Sequence, residues 1–100
     1  MYGIAPQAWA QSVYSGNLTI DHFDGGASMT VYFNEPTPNP AACAQGSLKV
    51  VSWDKADPNA KNFIAMMLSA KLAGRPVQIY VDGTACLWGG WPSLLNMKLM

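Results

Sequence analysis

Charge is scarce in this chain. Six basic and six acidic residues cancel, and charged residues make up only 12% of its 100 positions, about half the ~25% of an average soluble domain. The bases Lys49, Lys55, Lys61, Lys71, Arg75 and Lys98 are scattered. Nucleic-acid binding draws on clustered Lys and Arg against phosphate, so no nucleic acid is expected as a partner. Long apolar runs are also missing. Nothing approaches the roughly 20 residues that a membrane span needs, so no membrane insertion is expected. Met1-Tyr2-Gly3-Ile4 shows no basic n-region of a signal peptide, which leaves location open on this point.

Histidine is down to one, His22, between Asp21 and Asp24. Neighbours on a strand point to opposite faces, so Asp21 and His22 are not expected to form a dyad. His22 and Asp24 share a face, but one His and one Asp are too few for a structural metal site. There is no glycine-rich phosphate loop, paired-cysteine zinc motif or nucleophile elbow. No cofactor, no metal and no catalysis are expected. Asn17-Leu18-Thr19 matches a glycosylation acceptor, a pattern common by chance. Cysteine is down to two: Cys43 in a Pro/Ala/Asn-rich stretch, and Cys86 after the turn-like Asp82-Gly83-Thr84. They could be bridged, closing a loop worth roughly 4 kcal/mol in the chain-entropy model, or be two free thiols.

What is present is apolar and aromatic: half the residues are hydrophobic and 11% carry aromatic rings. A chain this size forms one core, and residues 1–100 read as a single domain. Low charge with high apolar content implies that partners or sister copies cover part of the surface. Residues 11–24 alternate, with Leu18, Ile20 and His22 against Thr19, Asp21 and Phe23, which predicts a strand ending at Gly25-Gly26. Residues 28–34 and 47–53 read as further strands, separated by a stretch where Pro36, Pro38 and Pro40 forbid regular structure. Residues 75–82 form a fourth strand with Val77, Ile79 and Val81 on one face. A Gly/Trp-rich turn from Leu87 to Pro92 leads to a fifth over 93–99. The class is mainly β with one helix (α+β). Five strands with a helix between the third and fourth is the order of an OB-fold, a small Greek-key barrel.

The helix is well punctuated. Asp57 suits the N-cap, Pro58 the first helical position and Gly74 the left-handed C-terminal cap, around residues 59–73. At about 100° per residue it carries two apolar stripes. Phe63, Met66, Met67, Ala70 and Ala73 form one. Ile64, Leu68 and Leu72 form the other, edged by Lys61 and Lys71. A surface helix needs one such stripe. Sister chains in an oligomer are the economical cover for the second; the alternative is burial under the N-terminal arm or the Trp-rich loop.

Trp9, Tyr14, Tyr32, Trp53, Tyr80, Trp88 and Trp91 are numerous for this length. Tyr and Trp stack on the apolar faces of sugars while polar neighbours hydrogen-bond hydroxyls. At least four of the seven are expected in the core or an interface.

Several short stretches resemble the B subunits of AB-type bacterial toxins, in the subtilase cytotoxin and typhoid toxin branch. They are Tyr14-Ser15-Gly16, Val31-Tyr32-Phe33, Ala42-Cys43, Val51-Ser52-Trp53 with Phe63 leading the helix, and Ala73-Gly74-Arg75-Pro76-Val77-Gln78-Ile79-Tyr80. The last is similar to that family's Gly-Gln-Pro-Val-Arg-Ile-Tyr run, and the likeness spans roughly residues 13–82. It implies a secreted or periplasmic OB-fold subunit in a ring of five, helices lining the centre, with glycans held on the barrel sides and a possible toxin A subunit as partner. In that family a serine at the start of the first strand contacts sialic acid, and Ser15 matches it, beside Tyr14. Asp24 and Tyr80 are lesser candidates. The family's second-strand cysteine is Asn34 here, so the resemblance pairs Cys43 with Cys86. Its aromatic after Ile-Tyr is Val81, which leaves the choice of sugar open. A lectin-like B subunit of a homo-oligomer is thus the expected function, and an OB-fold module binding another protein without sugar affinity is the alternative.

Overall fold

The computed structural model describes residues 11–26 and 28–100. Along the described residues the elements run β1 (Val13–Tyr14), β2 (Ile20–Gly25), β3 (Ser28–Phe33), β4 (Val50–Asp54), α1 (Ala60–Ala73), β5 (Val77–Leu87) and β6 (Trp91–Leu99), with a 3-10 turn at Gly46–Leu48. The fold is mainly β with one helix, and the six strands form one sheet in the order β1-β5-β6-β4-β3-β2. Neighbours are antiparallel except β4 and β6, which run parallel.

The single strand expected over residues 11–24 is divided. Its start pairs with β5 through Val13↔Val81 and Tyr14↔Tyr80, and Leu18 exchanges two backbone hydrogen bonds of 2.8 Å with Val77. One residue later the partner changes: the Thr19 carbonyl accepts the Asn34 N–H, and β2 pairs with β3. A bulge follows between Ile20 and His22, where Asp21 is extra relative to the Phe33–Tyr32 step on β3. A bulge displaces the alternation by one. Leu18 and Ile20 therefore face the core as expected, but Phe23 and not His22 continues that face, and His22 is exposed.

Two other boundaries move. Lys49 is left-handed (φ 59°) behind the 3-10 turn, so residues 47–49 are not strand and β4 begins at Val50. Asp82-Gly83-Thr84 makes no chain reversal, because the Asp82 carboxylate accepts the Thr84 N–H and hydroxyl (2.8 and 2.7 Å) within β5. Between the pairs Val81↔Leu94 and Cys86↔Pro92, β5 advances five residues while β6 advances two. Composition marked a turn; the ladder absorbs it as an irregularity. Cys86 thus lies on a strand, and the reversal comes at Trp88-Gly89, both at positive φ (47° and 80°) with the Gly90 N–H on the Leu87 carbonyl. That is the type I′ arrangement, whose twist suits a hairpin.

Cys43 and Cys86 are bridged, with Cα atoms 5.7 Å apart. The bridge ties the proline-rich segment to β5, and the Gln45 N–H bonds the Gly90 carbonyl beside it (2.8 Å). Asn39 braces the same corner, accepting the Cys43 N–H and donating to the Cys43 carbonyl. Gly46 must lack a side chain, since a Cβ there would lie 2.0 Å from Asn39 Nδ2.

The core lies between α1 and the inner sheet face. Val31, Phe33, Val51, Trp53, Val77, Ile79, Val81, Leu94 and Met97 meet Ala60, Phe63, Met67 and Ala70 there, and Trp53 meets Phe63 edge to face at 5.3 Å. Asp57 does not cap the helix. Its carboxylate accepts the Asn59 N–H and its carbonyl the Ala60 N–H, closing the turn before α1, and Asn59 takes the N-cap position. Gly74 caps the C-terminus at φ 66°, with the Arg75 N–H returning to the Ala70 carbonyl, as the sequence predicts.

The two helix stripes fare differently. The Phe63 stripe is buried except Ala73, and Met66 is half-buried. Ile64 also packs at the core's edge. Leu72 stands 88% exposed and Leu68 43%, so the described residues leave Leu72 open and shield Leu68 only in part; the N-terminal arm lies outside the described residues.

Candidate functional site

Strand alternation turns Val77, Ile79 and Val81 inward and Gln78 and Tyr80 outward on β5, while Met97 points inward between outward Asn96 and Lys98 on β6. The ladder sets Tyr14 opposite Tyr80, Tyr80 opposite Asn96, and Gln78 opposite Lys98. One outer face therefore gathers two tyrosines, two amides and a cation.

Tyr14, 46% exposed, is the hub of this face. Its ring packs at 4.4 Å and 31° on Tyr80, and Lys98 Nζ lies 4.3 Å from its centroid. A cation over a tyrosine ring is attracted by the ring quadrupole. Asn96 Nδ2 donates to the Tyr14 hydroxyl oxygen (3.1 Å), and among the described residues that hydroxyl's own proton has no acceptor. Gln78 donates to Asn17 Oδ1 (2.8 Å) at the border.

Ser15 is half-buried. Its hydroxyl donates to the Gly16 carbonyl (2.7 Å) and accepts the Ile79 N–H (2.9 Å), while its own N–H bonds the Ile79 carbonyl. The proton is committed, and one lone pair remains for a ligand. Ser15 thus pins Tyr14 against β5 as well as lying beside it. Asp24 is placed elsewhere, exposed on β2 opposite Thr30 near the hairpin. The structure therefore gathers Tyr14, Ser15 and Tyr80 and leaves Asp24 apart. Gln78, Asn96 and Lys98 escaped the sequence reading. Alternation around Tyr80 could have found Gln78, but the other two required the hairpin register.

The expectation about Asp21 and His22 is corrected. His22 Nδ1 lies 2.6 Å from Asp21 Oδ2, because the bulge brings consecutive side chains to one side. The imidazole also stacks on Tyr32 at 4.3 Å and 9°. Among the described residues no group of three or more His, Cys, Asp and Glu is placed to hold a metal. Of the seven prominent Tyr and Trp residues, only Trp53 is fully buried; Tyr32, Tyr80 and Trp91 are half-buried, Tyr14 and Trp88 are exposed, and Trp9 lies outside the described residues.

The bend that carries β1 over to β2 is held by Glu35. Its carboxylate accepts the Thr19 N–H and hydroxyl, both at 2.7 Å, and Asn34 Nδ2 reaches the same hydroxyl oxygen. The backbone N–H and hydroxyl of Thr19, with the nearby charge of Lys49, hold the Glu35 carboxyl below its ordinary value of 4.5. That stabilisation is fully present above the ordinary value and is lost as pH falls through the lowered one. Thermal melts from neutral to acid pH should show Glu35→Gln melting below wild type at pH 7, with the gap closing as the pH falls below 4.5. A gap independent of pH overturns this role.

No family model, curated protein or solved structure matches the chain.

Proposed function

We propose that this chain is a glycan-binding subunit of the toxin B-subunit kind, an OB-fold barrel that assembles into a homo-oligomeric ring and attaches to sugars on host cells. The observation that carries the reading is the pairing of exposed Tyr14 with half-buried Tyr80, flanked by Asn96, Gln78 and Lys98 on one sheet face. Apolar ring surface beside amide donors and acceptors suits a pyranose, whose two faces differ in the same way. Lys98 adds a cation at its edge. Tyr80 and the proton of the Tyr14 hydroxyl make the direct contacts, and Ser15 holds Tyr14 in place while offering a lone pair.

Support for the barrel comes from the pairing. The chain through Val13, Leu18 and Gly25 bonds β5 at its start and β3 at its end, and β4 runs parallel to β6. Those are the neighbours that five OB strands have, with α1 between the third and fourth. Support for the ring comes from Leu72, left in water beside partly exposed Leu68 on a helix whose other side is buried. The disulfide suits an oxidising compartment, secreted or periplasmic.

A glycan array tests the sugar site. The wild-type protein is expected to mark a defined set of glycans, and Tyr14→Ala and Ser15→Ala to lose that signal. Ser15→Ala also leaves the Ile79 N–H without its acceptor, at a stability cost of about 1 kcal/mol. Unchanged signals in both variants reject the site. A blank array with a co-purifying polypeptide favours a protein-binding module, in which the same face receives a protein.

A further inference from the structure

The end of the molecule around the disulfide has a character of its own. Residues 36–48 and 83–97 contain no Asp, Glu, Lys, Arg or His. These two segments are joined by the Cys43–Cys86 bridge and by the Gln45 N–H on the Gly90 carbonyl. At their margin Leu48 is 46% exposed, and the β5–β6 hairpin carries Trp88, 50% exposed, at its turn.

Trp88 is also in an unfavourable conformation. Its φ of 47° lies in the left-handed region, which a Cβ disfavours by crowding the following carbonyl oxygen. The first central position of a type I′ turn favours Asn, Asp or Gly. A bulky aromatic held there against its preference, by a bridge and a hydrogen bond close on either side, points to a task other than folding. Gly90 fits the clamp closely, since a Cβ on it would sit 3.4 Å from that of Ala44.

We propose that Trp88 is an interfacial anchor, by which the β5–β6 hairpin turn seats in the headgroup region of an uncharged lipid bilayer. A hairpin turn is convex and cannot enclose a small ligand. It can dip into a soft interface, and the turn from Leu87 to Trp91 carries no charge to desolvate. Indole is amphipathic, and tryptophan concentrates at the headgroup level, its ring among the acyl carbons and its N–H toward polar groups. The contact is peripheral, for no helix of the described residues is long and apolar enough to cross a membrane.

Co-sedimentation of the full chain with phosphatidylcholine vesicles free of glycolipid tests the proposal. Wild type is expected to pellet with the vesicles equally at low and high salt, because no ion pair is involved. Trp88→Asn places the favoured Asn-Gly pair in the turn, so it should melt at or above the wild-type temperature while losing roughly tenfold or more in vesicle affinity. Tyr14→Ala should bind vesicles as wild type does, which separates this surface from the sugar site. The proposal is overturned if wild type stays in the supernatant, or if Trp88→Asn pellets equally well. It is also overturned if binding needs anionic lipid and vanishes in salt, or if Trp88→Asn melts well below wild type. Loss of binding to a host protein in Trp88→Asn, with no vesicle binding by wild type, would assign the indole to a protein pocket instead.

Discussion

Replacing both Cys43 and Cys86 by alanine is expected to lower the melting temperature by about 15–30 °C, from a loss of roughly 4 kcal/mol at ~4–8 °C per kcal/mol. The bridge spans 43 residues, so the unfolded chain recovers much freedom without it. A domain of this size has only about 5–15 kcal/mol to lose. The enclosed segment contains the 3-10 turn, β4 and all of α1. Local consequences add to the entropy. Cys43 is 5% exposed, and its backbone is the partner of Asn39, which in turn fills the space left by Gly46. Freed of the bridge, this corner keeps only hydrogen bonds to hold it against Gly90. Melting of the double variant, beside wild type with and without reductant, checks the effect. A fall of only a few degrees in both would show that the remaining contacts suffice.

The second large effect concerns assembly. Light scattering of the native protein is expected to give about 54 kDa, five times the 10.8 kDa chain. Leu72→Asp, alone or with Leu68→Asp, is expected to reduce it to a single chain. These side chains lie opposite Phe63, Met67 and Ala70, and Leu72 is almost wholly in water. An exposed substitution of this kind leaves the fold within about 0.5 kcal/mol, so the variant should melt near the wild type at high dilution. Its attachment to glycan-coated surfaces should nevertheless fall by about 10²–10⁴, because several weak sites then act singly. Binding of a free sugar in solution should be unchanged. Wild type running as one chain in dilute solution, or Leu72→Asp keeping the larger mass, removes both the ring and the avidity.

Much of this protein is legible from one dimension. Gly74 announces the helix end, because few other residues accept the left-handed angle there. Val77, Ile79 and Val81 announce a half-buried strand by strict alternation. The class, the order of strands around one helix and the buried Phe63 stripe follow from such short-range signals, which left open what covers Leu68 and Leu72. The candidate face was partly legible. Tyr14, Ser15 and Tyr80 were visible as residues, but nothing local said that they meet.

Periodicity failed where the ladder departs from regular pairing. The bulge at Asp21 reversed the faces of His22 and Phe23 and brought Asp21 against His22. A bulge is set by how two strands meet, and the residues that make it look ordinary in sequence. The same holds for Asp82-Gly83-Thr84, which has the composition of a turn but is carried along within a paired strand.

The sequence by itself determined the local elements, the core-facing residues of the helix and most strands, and the surplus of apolar and aromatic side chains. These depend on steric and hydrophobic preferences within a few residues. Tertiary structure alone decided the closing of the Cys43–Cys86 bridge, the gathering of Tyr14 and Tyr80 with Asn96 and Lys98, and the placing of Trp88 at the tip of a clamped hairpin. Each joins positions far apart in the chain or depends on the exact register of two strands, and register is a property of the pair.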